Sequence, residues 1–281
     1  MAEAAPRDMA SDVRVLQARA RAVRSAIVRM AHEGHTAHVA SALSCADILV
    51  ALYFHAMRID PKEPGRADGD RCVLSKGHGC MALYATLAER GYFPADLLKE
   101  YARNGGRLPE HPSPRSVPGI EVATGSLGHG LSIGAGASLA RQLDGRPGRT
   151  FVVLSDGECN EGSVWEAAMF AARWKLEGLV AIVDYNKLQA MGRSDEVTAL
   201  APLAEKWRAF GWEAREIDGH DLATLAGVLD AVPLAPGRPT AIVAHTIKGK
   251  GVSFMENDLE WHYRPPTAAD LARALREIEG G

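Results

Sequence analysis

The spacing of apolar positions changes partway along the chain. In the first half, Val13, Leu16, Val23, Ile27 and Met30 fall at helical spacing with arginines between them. They predict an amphipathic helix ending near Gly34, after a flexible tail over residues 1–10. A second helix is predicted from Ser44 to about Met57, with Ser44 as its N-cap, and a third from just after Gly79 to near Gly91. Residues 131–143 read as a helix with small residues on one face. Residues 60–70 are turn chemistry. Residues 104–130, rich in Gly, Pro and Ser, contain no clear element. A loop of that length inside a compact domain usually has a functional reason.

In the second half the period shortens. FVVLS (151–155), LVAIVD (179–184), EAREI (213–217) and TAIVA (240–244) are short β-branched runs. Helical patterns at 163–175, 202–210 and 221–232 separate them. Apolar strands alternating with helices predict an α/β fold, a mostly parallel sheet covered by helices on both faces. No internal repeat or linker divides the chain, so residues 11–281 read as a single domain. In such sheets a ligand sits beyond the carboxyl ends of the strands. Two strand ends carry polar groups there: Ser155-Asp156-Gly157-Glu158 and Asp184-Tyr185-Asn186-Lys187.

Composition narrows the function classes. The 281 residues include 32 Lys+Arg against 35 Asp+Glu, a net charge of -3, which leaves no basic excess for a dedicated nucleic-acid binder. With 47% hydrophobic residues the chain is not disordered, and no apolar run approaches the length of a membrane span. The start lacks the apolar stretch of a signal peptide, and the four cysteines form no CxxC pair. The expectation is a reduced, cytoplasmic protein.

The sharpest chemistry lies at the two strand ends. Asp156 and Asn186 each follow an apolar strand by one or two residues, and adjacent parallel strands would bring them together. A carboxylate, an amide oxygen and a nearby carbonyl suit Mg²⁺ completed by phosphate oxygens. Gly157 lets the backbone approach a phosphate ahead of a helix. Taken singly, Asp156 would equally serve as a turn cap and Asn186 as an Asx-turn.

Asp156-Gly157 … Asn186 resembles the thiamine diphosphate motif, with Ser155 where a glycine usually opens it. The surrounding run SDGECNEGSVWEAAMFAARWKLEGLVAIVDYNKLQ resembles transketolases, and more narrowly the N-terminal, diphosphate-binding subunit of split transketolases. Leu74-Ser75-Lys76-Gly77-His78-Gly79, EVATGSLGHGLS (121–132) and TIKGKGVSFMEN (246–257) followed by Trp261-His262 are similar to further blocks of that family. The likeness runs from about residue 13 to residue 266.

The resemblance implies thiamine diphosphate and Mg²⁺ as cofactors, the metal held by Asp156, Asn186 and the Leu188 carbonyl. Cofactor contacts would come from His78, Gly125, Ser126, Leu127, Gly157, Glu158 and His262. His38, His78, His111 and His262 match the active-site histidines, and Glu161 matches an acid that couples two active sites across a subunit interface. Such histidines fit the chemistry: thiamine supplies a carbanion, whereas protons must move to and from substrate oxygens near neutral pH, the range of imidazole. GHTAH offers both His35 and His38; the run HVASALS aligns with the family's HIGGSLS and selects His38. His129 stands where the family usually has Gln. The remaining histidines, the Trp174, Trp207 and Trp212 group and Cys159 read as structural. Lys248-Gly-Lys250-Gly reads as a mobile loop over the site, with lysines that meet either phosphate or solvent.

The implied activity is transfer of a two-carbon ketol unit from a ketose or ketose phosphate to an aldose. A second, pyrimidine-binding subunit is expected as partner in an α2β2 heterotetramer, because the glutamate that activates the aminopyrimidine has no match here. Ala37 and the Val-Ala-Ser-Ala run after His38 replace glycines of the family pattern, which leaves a modified ketose as the alternative substrate. The α subunit of a 2-oxoacid or acetoin dehydrogenase is a weaker alternative, since those lack Ser-Lys-Gly-His-Gly.

Overall fold

A computed structural model describes residues 9–114 and 116–280. Five strands form one sheet: β1 (Arg71–Leu74), β2 (Thr150–Ser155), β3 (Leu179–Tyr185), β4 (Glu213–Asp218) and β5 (Thr240–His245). Their order is β1-β2-β3-β5-β4, and every pairing is parallel. Ten α-helices accompany them among the described residues: α1 (Met9–Gly34), α2 (Val39–Ser44), α3 (Ala46–Ala51), α4 (Cys80–Arg90), α5 (Gly130–Leu143), α6 (Gly162–Arg173), α7 (Ser194–Val197), α8 (Leu203–Ala209), α9 (Leu222–Asp230) and α10 (Ala268–Gly280).

The sheet divides the core in two because alternate strand residues point to opposite faces. Phe151, Val153, Val180, Ile182 and Ile242 face one cluster, built with α1 to α4, α9 and α10. Val152, Leu154, Ala181, Val183 and Val243 face the other, built with α5, α6 and α8. Trp207 and Trp212 lie in the second cluster with ring centroids 4.8 Å apart, whereas Trp174 is exposed. The four cysteines are unpaired and buried, and burial pushes the Cys159 thiol up, as suits an inert packed side chain. No helix among the described residues is long and apolar enough to cross a membrane.

Several boundaries differ from the sequence reading. The tail expected over residues 1–10 lies outside the described residues as far as residue 8, and Met9 already belongs to α1. The helix expected over Ser44–Met57 starts earlier, at Val39, breaks at Cys45 and ends as a π-turn over Leu52–Ala56. Ser44 therefore caps nothing; its single hydroxyl proton goes to the Asp184 carboxylate at 2.6 Å. Strand β1 escapes the sequence reading because it is only four residues long; α10 escapes it although Leu271, Ala274, Leu275 and Ile278 fall at helical spacing. Among the described residues, nothing between Glu100 and Gly130 is helix or strand, as the Gly/Pro/Ser content predicts. That stretch carries His111 and Gly125 to the carboxyl end of the sheet.

Candidate active site

The parallel register sets Ser155 beside Asp184, so the ends of β2 and β3 are neighbours. Asp156 is 1% exposed. One carboxylate oxygen accepts the Gly157 N–H (2.9 Å); the other accepts the Lys187 N–H (2.8 Å) and the Ser194 hydroxyl (2.6 Å). Burial pushes its pKa upward, and no cationic side chain pairs with it directly among the described residues. The Asn186 amide oxygen accepts the Leu188 N–H at 3.1 Å. A cavity of about 390 Å³ opens over this pair, walled by Asp156, Gly157, Asn186 and Leu188 together with Lys76, His78, Leu127, Glu161, Lys248 and His262. No group of three or more His, Cys, Asp or Glu side chains placed to hold a metal occurs among the described residues. A cation here would be held by the Asp156 carboxylate, the Asn186 amide oxygen and the Leu188 carbonyl. This is a hard-oxygen set that suits Mg²⁺ with phosphate completing the shell, and a buried carboxylate lacking a direct cationic partner fits such an ion.

Four imidazoles converge beside the cavity. His38 lies 4.5 Å from His78, 4.9 Å from His262 and 6.3 Å from His111, measured between ring centroids, and His78 lies 5.3 Å from His111. Each comes from a different segment. His78 belongs to a 3-10 turn between β1 and α4, and His262 to one before α10. His38 precedes α2 in a left-handed conformation, φ 70°, and its N–H donates to the His262 carbonyl at 3.0 Å. His111 is brought in through a close backbone approach. A Cβ on Gly77 would lie 2.7 Å from the Gly125 nitrogen, and one on Gly125, where φ is +144°, would lie 2.8 Å from His111 Cδ2. His35 is exposed and directed toward His32 instead, so the ring that joins the cluster is that of His38.

Electrostatics keep three of these rings neutral at pH 7. Burial, then the neighbouring His78 and His111, lower His38 to about 4. Burial, then His111 and Lys76, lower His78 to about 4. Burial, then Lys248, lower His262 to about 3. Lys248 is 1% exposed, and its ammonium donates to the Leu188 carbonyl (3.0 Å) and to His262 Nδ1 (3.1 Å). His262 therefore carries its proton on Nε2. Burial, then the like charge of Lys76, lower Lys248 to about 8. The sequence left Lys248 between phosphate and solvent; the structure buries it, on a loop fixed by backbone hydrogen bonds.

Other residues take places that motif reading did not assign. Lys76 is buried and forms an ion pair with Asp184, which also accepts the hydroxyls of Ser44 (2.6 Å) and Thr246. Burial opposes both charges, yet each partner holds the other ionised, with Lys76 raised and Asp184 lowered. This network joins the ends of β1, β3 and β5 beneath the cavity. The signal was present, since Lys76 sits inside Ser-Lys-Gly-His-Gly and Asp184 two residues before Asn186. Glu158, expected to touch cofactor, does not line the cavity. It is 0% exposed, and its carboxylate accepts the Ser75 hydroxyl and the N–H groups of Gly128 (2.9 Å) and Ser155 (3.3 Å). Its own N–H donates to Ser155 Oγ, so Glu158 ties three loops together. Ser126 is exposed, its carbonyl 3.3 Å from His129 Nδ1, and Leu127 rather than Ser126 reaches the cavity wall. Glu161 is exposed at the start of α6, on the cavity rim.

The model of the transketolase thiamine diphosphate binding domain matches residues 12–280. The chain is 46% identical to the 6-deoxy-6-sulfo-D-fructose transketolase subunit SqwG of Clostridium sp. (strain MSTE9), over 86% of this chain and 88% of that protein. It is 39% identical to an apulose-4-phosphate transketolase subunit of Phocaeicola vulgatus, over 95% and 94% respectively. Among solved structures, transketolase from Leishmania mexicana superposes with a TM-score of 0.88 at 27% identity, covering 94% of this chain and 41% of that one. The chain thus spans about two fifths of the solved transketolase. The fold, the convergence of two strand ends on a hard-oxygen site and these likenesses agree: the chain belongs to the transketolase family, as its thiamine diphosphate binding domain.

Proposed function

We propose that this chain is the diphosphate-binding subunit of a two-component transketolase. Together with a pyrimidine-binding partner, in an α2β2 assembly in the cytoplasm, it moves a two-carbon ketol unit from a ketose donor to an aldose acceptor. The observation that carries this reading is the set of four imidazoles packed beside the Asp156, Asn186 and Leu188 oxygens. Bound thiamine diphosphate supplies the nucleophilic carbon. The residues of this chain hold its metal and manage protons. Asp156, Asn186 and the Leu188 carbonyl hold Mg²⁺, Gly157 borders the diphosphate, and Leu127 offers an apolar contact. Rings that are neutral at pH 7 keep one basic nitrogen, so His38 and His78 can take a proton from a substrate hydroxyl and return it, with His111 packed beside them. His262, with its Nδ1 engaged by Lys248, serves as a donor through Nε2 to an oxygen that becomes negative. The exposure of Glu161 supports its reading as the acid that couples two active sites across a subunit interface.

The two relatives are named for 6-deoxy-6-sulfo-D-fructose and for apulose-4-phosphate. Their likeness, with the added methyl of Ala37 one residue before His38, supports a modified ketose carrying an anionic tail as donor. The test is reconstitution. The purified chain, Mg²⁺ and thiamine diphosphate are assayed for two-carbon transfer with a panel of ketose phosphates and sulfonates, with and without a pyrimidine-binding subunit. Turnover that requires the partner is expected; robust turnover by this chain alone refutes the two-component reading.

A further inference from the structure

The loop after β5 carries Lys248 into the site, and it is held on both flanks. The Ile247 N–H donates to His220 Nε2 at 2.8 Å, the Gly249 N–H to the Ala40 carbonyl at 3.0 Å, and the Lys250 carbonyl accepts Arg24 Nε at 3.1 Å. Two of these three ties originate in one buried cluster. Asp47, 4% exposed, accepts from the two terminal guanidinium nitrogens of Arg24 (2.9 and 2.5 Å) and from His220 Nδ1 (2.7 Å). Because His220 Nε2 accepts from Ile247, the ring proton sits on Nδ1 and faces the carboxylate. Asp47 thus fixes the tautomer and the angle of the ring that grips Ile247. Arg24, Asp47 and His220 line a second cavity of about 530 Å³ whose wall shares no residue with the first. They do not line the first cavity, and the loop joins them to it.

We infer that Arg24, Asp47 and His220 form a positioning triad that sets the loop over residues 246–251 and thereby places the Lys248 ammonium on the Leu188 carbonyl and His262 Nδ1. The inference rests on the transketolase reading for what Lys248 serves, and on hydrogen-bond geometry alone for how it is placed. Substituting His220 separates the two contacts of the ring. In His220→Gln the amide oxygen can stand near the Nε2 position and still accept from Ile247. In His220→Asn the shorter amide faces Asp47 and leaves the Ile247 N–H unpaired. Each variant loses one side of the bridge, so a merely structural role lowers the melting temperature comparably in both.

Two measurements are made on the full chain. Hydrogen exchange over residues 246–251 is followed without cofactor; His220→Asn is expected to exchange faster than wild type by about tenfold or more, and His220→Gln, which keeps the Ile247 contact but loses the tie to Asp47, to be faster by a clearly smaller factor. Thiamine diphosphate affinity is then measured with Mg²⁺ and a pyrimidine-binding subunit, where His220→Asn is expected to be weaker by about tenfold and His220→Gln to lose less. Equal exchange in the two variants overturns the inference, as does equal cofactor affinity despite unequal exchange. If His220→Asn does not fold, Arg24→Lys takes its place. It keeps the buried charge but cannot span both carboxylate oxygens and the Lys250 carbonyl, and should likewise speed exchange over 246–251. Exchange like that of wild type in Arg24→Lys overturns the inference too. Failure of the wild-type protein to bind cofactor would reject the transketolase reading, while the exchange arm still decides how the loop is held.

Discussion

Asp184→Asn probes the ion pair beneath the site. In the native chain Asp184 is 0% exposed and Lys76 2% exposed, and the carboxylate is the sole anionic partner of the Lys76 ammonium among the described residues. The amide keeps the shape and one acceptor for Ser44 or Thr246, but leaves a positive charge in the core. Breaking one side of a buried pair costs about 3–5 kcal/mol. At roughly 2–3 °C per kcal/mol for a chain of this size, the melting temperature should fall by about 6–15 °C. Removing the orphaned charge as well, in Asp184→Asn with Lys76→Met, should recover part of that loss, because a buried pair replaced as a unit is far less costly than one broken. The assay is urea and thermal unfolding of the wild type, both single variants and the double variant. A single-variant cost under about 1 kcal/mol, or a double variant whose cost is the sum of the singles, refutes the claim that Lys76 and Asp184 are a buried pair.

The remaining predictions address the site itself. Asp156→Ala should lower Mg²⁺-dependent thiamine diphosphate affinity, measured by calorimetry with a pyrimidine-binding subunit present, by more than the roughly 10–100-fold that a supporting group contributes; wild-type-like affinity would sink the metal assignment. His38→Ala should reduce turnover by more than about tenfold with cofactor binding retained, while the exposed His35→Ala stays near wild type; the reverse order would show that the wrong ring was chosen. His38 ordinarily titrates near 6.5 but sits at about 4 when folded, so the unfolded chain takes up its proton first. Its share of stability is present above pH 6.5 and is lost as pH falls toward 4. Urea midpoints measured across that interval should therefore fall less steeply in His38→Ala than in wild type, and identical slopes would contradict the depressed value.

How much of this was legible in the sequence depended on whether a residue acts through its neighbours along the chain or across it. Strands β2, β3 and β5 were readable because their apolar runs are short, β-branched and bounded by turn residues. Their order was not, since β5 inserts between β3 and β4 by a crossover that no local pattern records. Asp156 and Asn186 stood out because both follow such runs directly. Glu158 came only with the family resemblance, and no local pattern shows that its carboxylate turns inward to Ser75 and Gly128. Asp47 and His220 lie 173 positions apart and meet only in the fold, so neither carried a motif that would pair it with the other. The helix start at Val39 was hidden because His38 enters it from a left-handed backbone conformation that side chains seldom adopt.

That conformation sets local stability against the imidazole it presents. A residue with a Cβ held at φ 70° costs about 1–2 kcal/mol relative to glycine, which reaches the same angle freely. The backbone at position 38 would be more at ease with no side chain at all, and is held in place by α2 and by the hydrogen bond to the His262 carbonyl. A screen that selects variants only for resistance to heat should therefore enrich glycine at position 38, and the survivors would be sturdier proteins that have given up the ring on which the other three histidines converge.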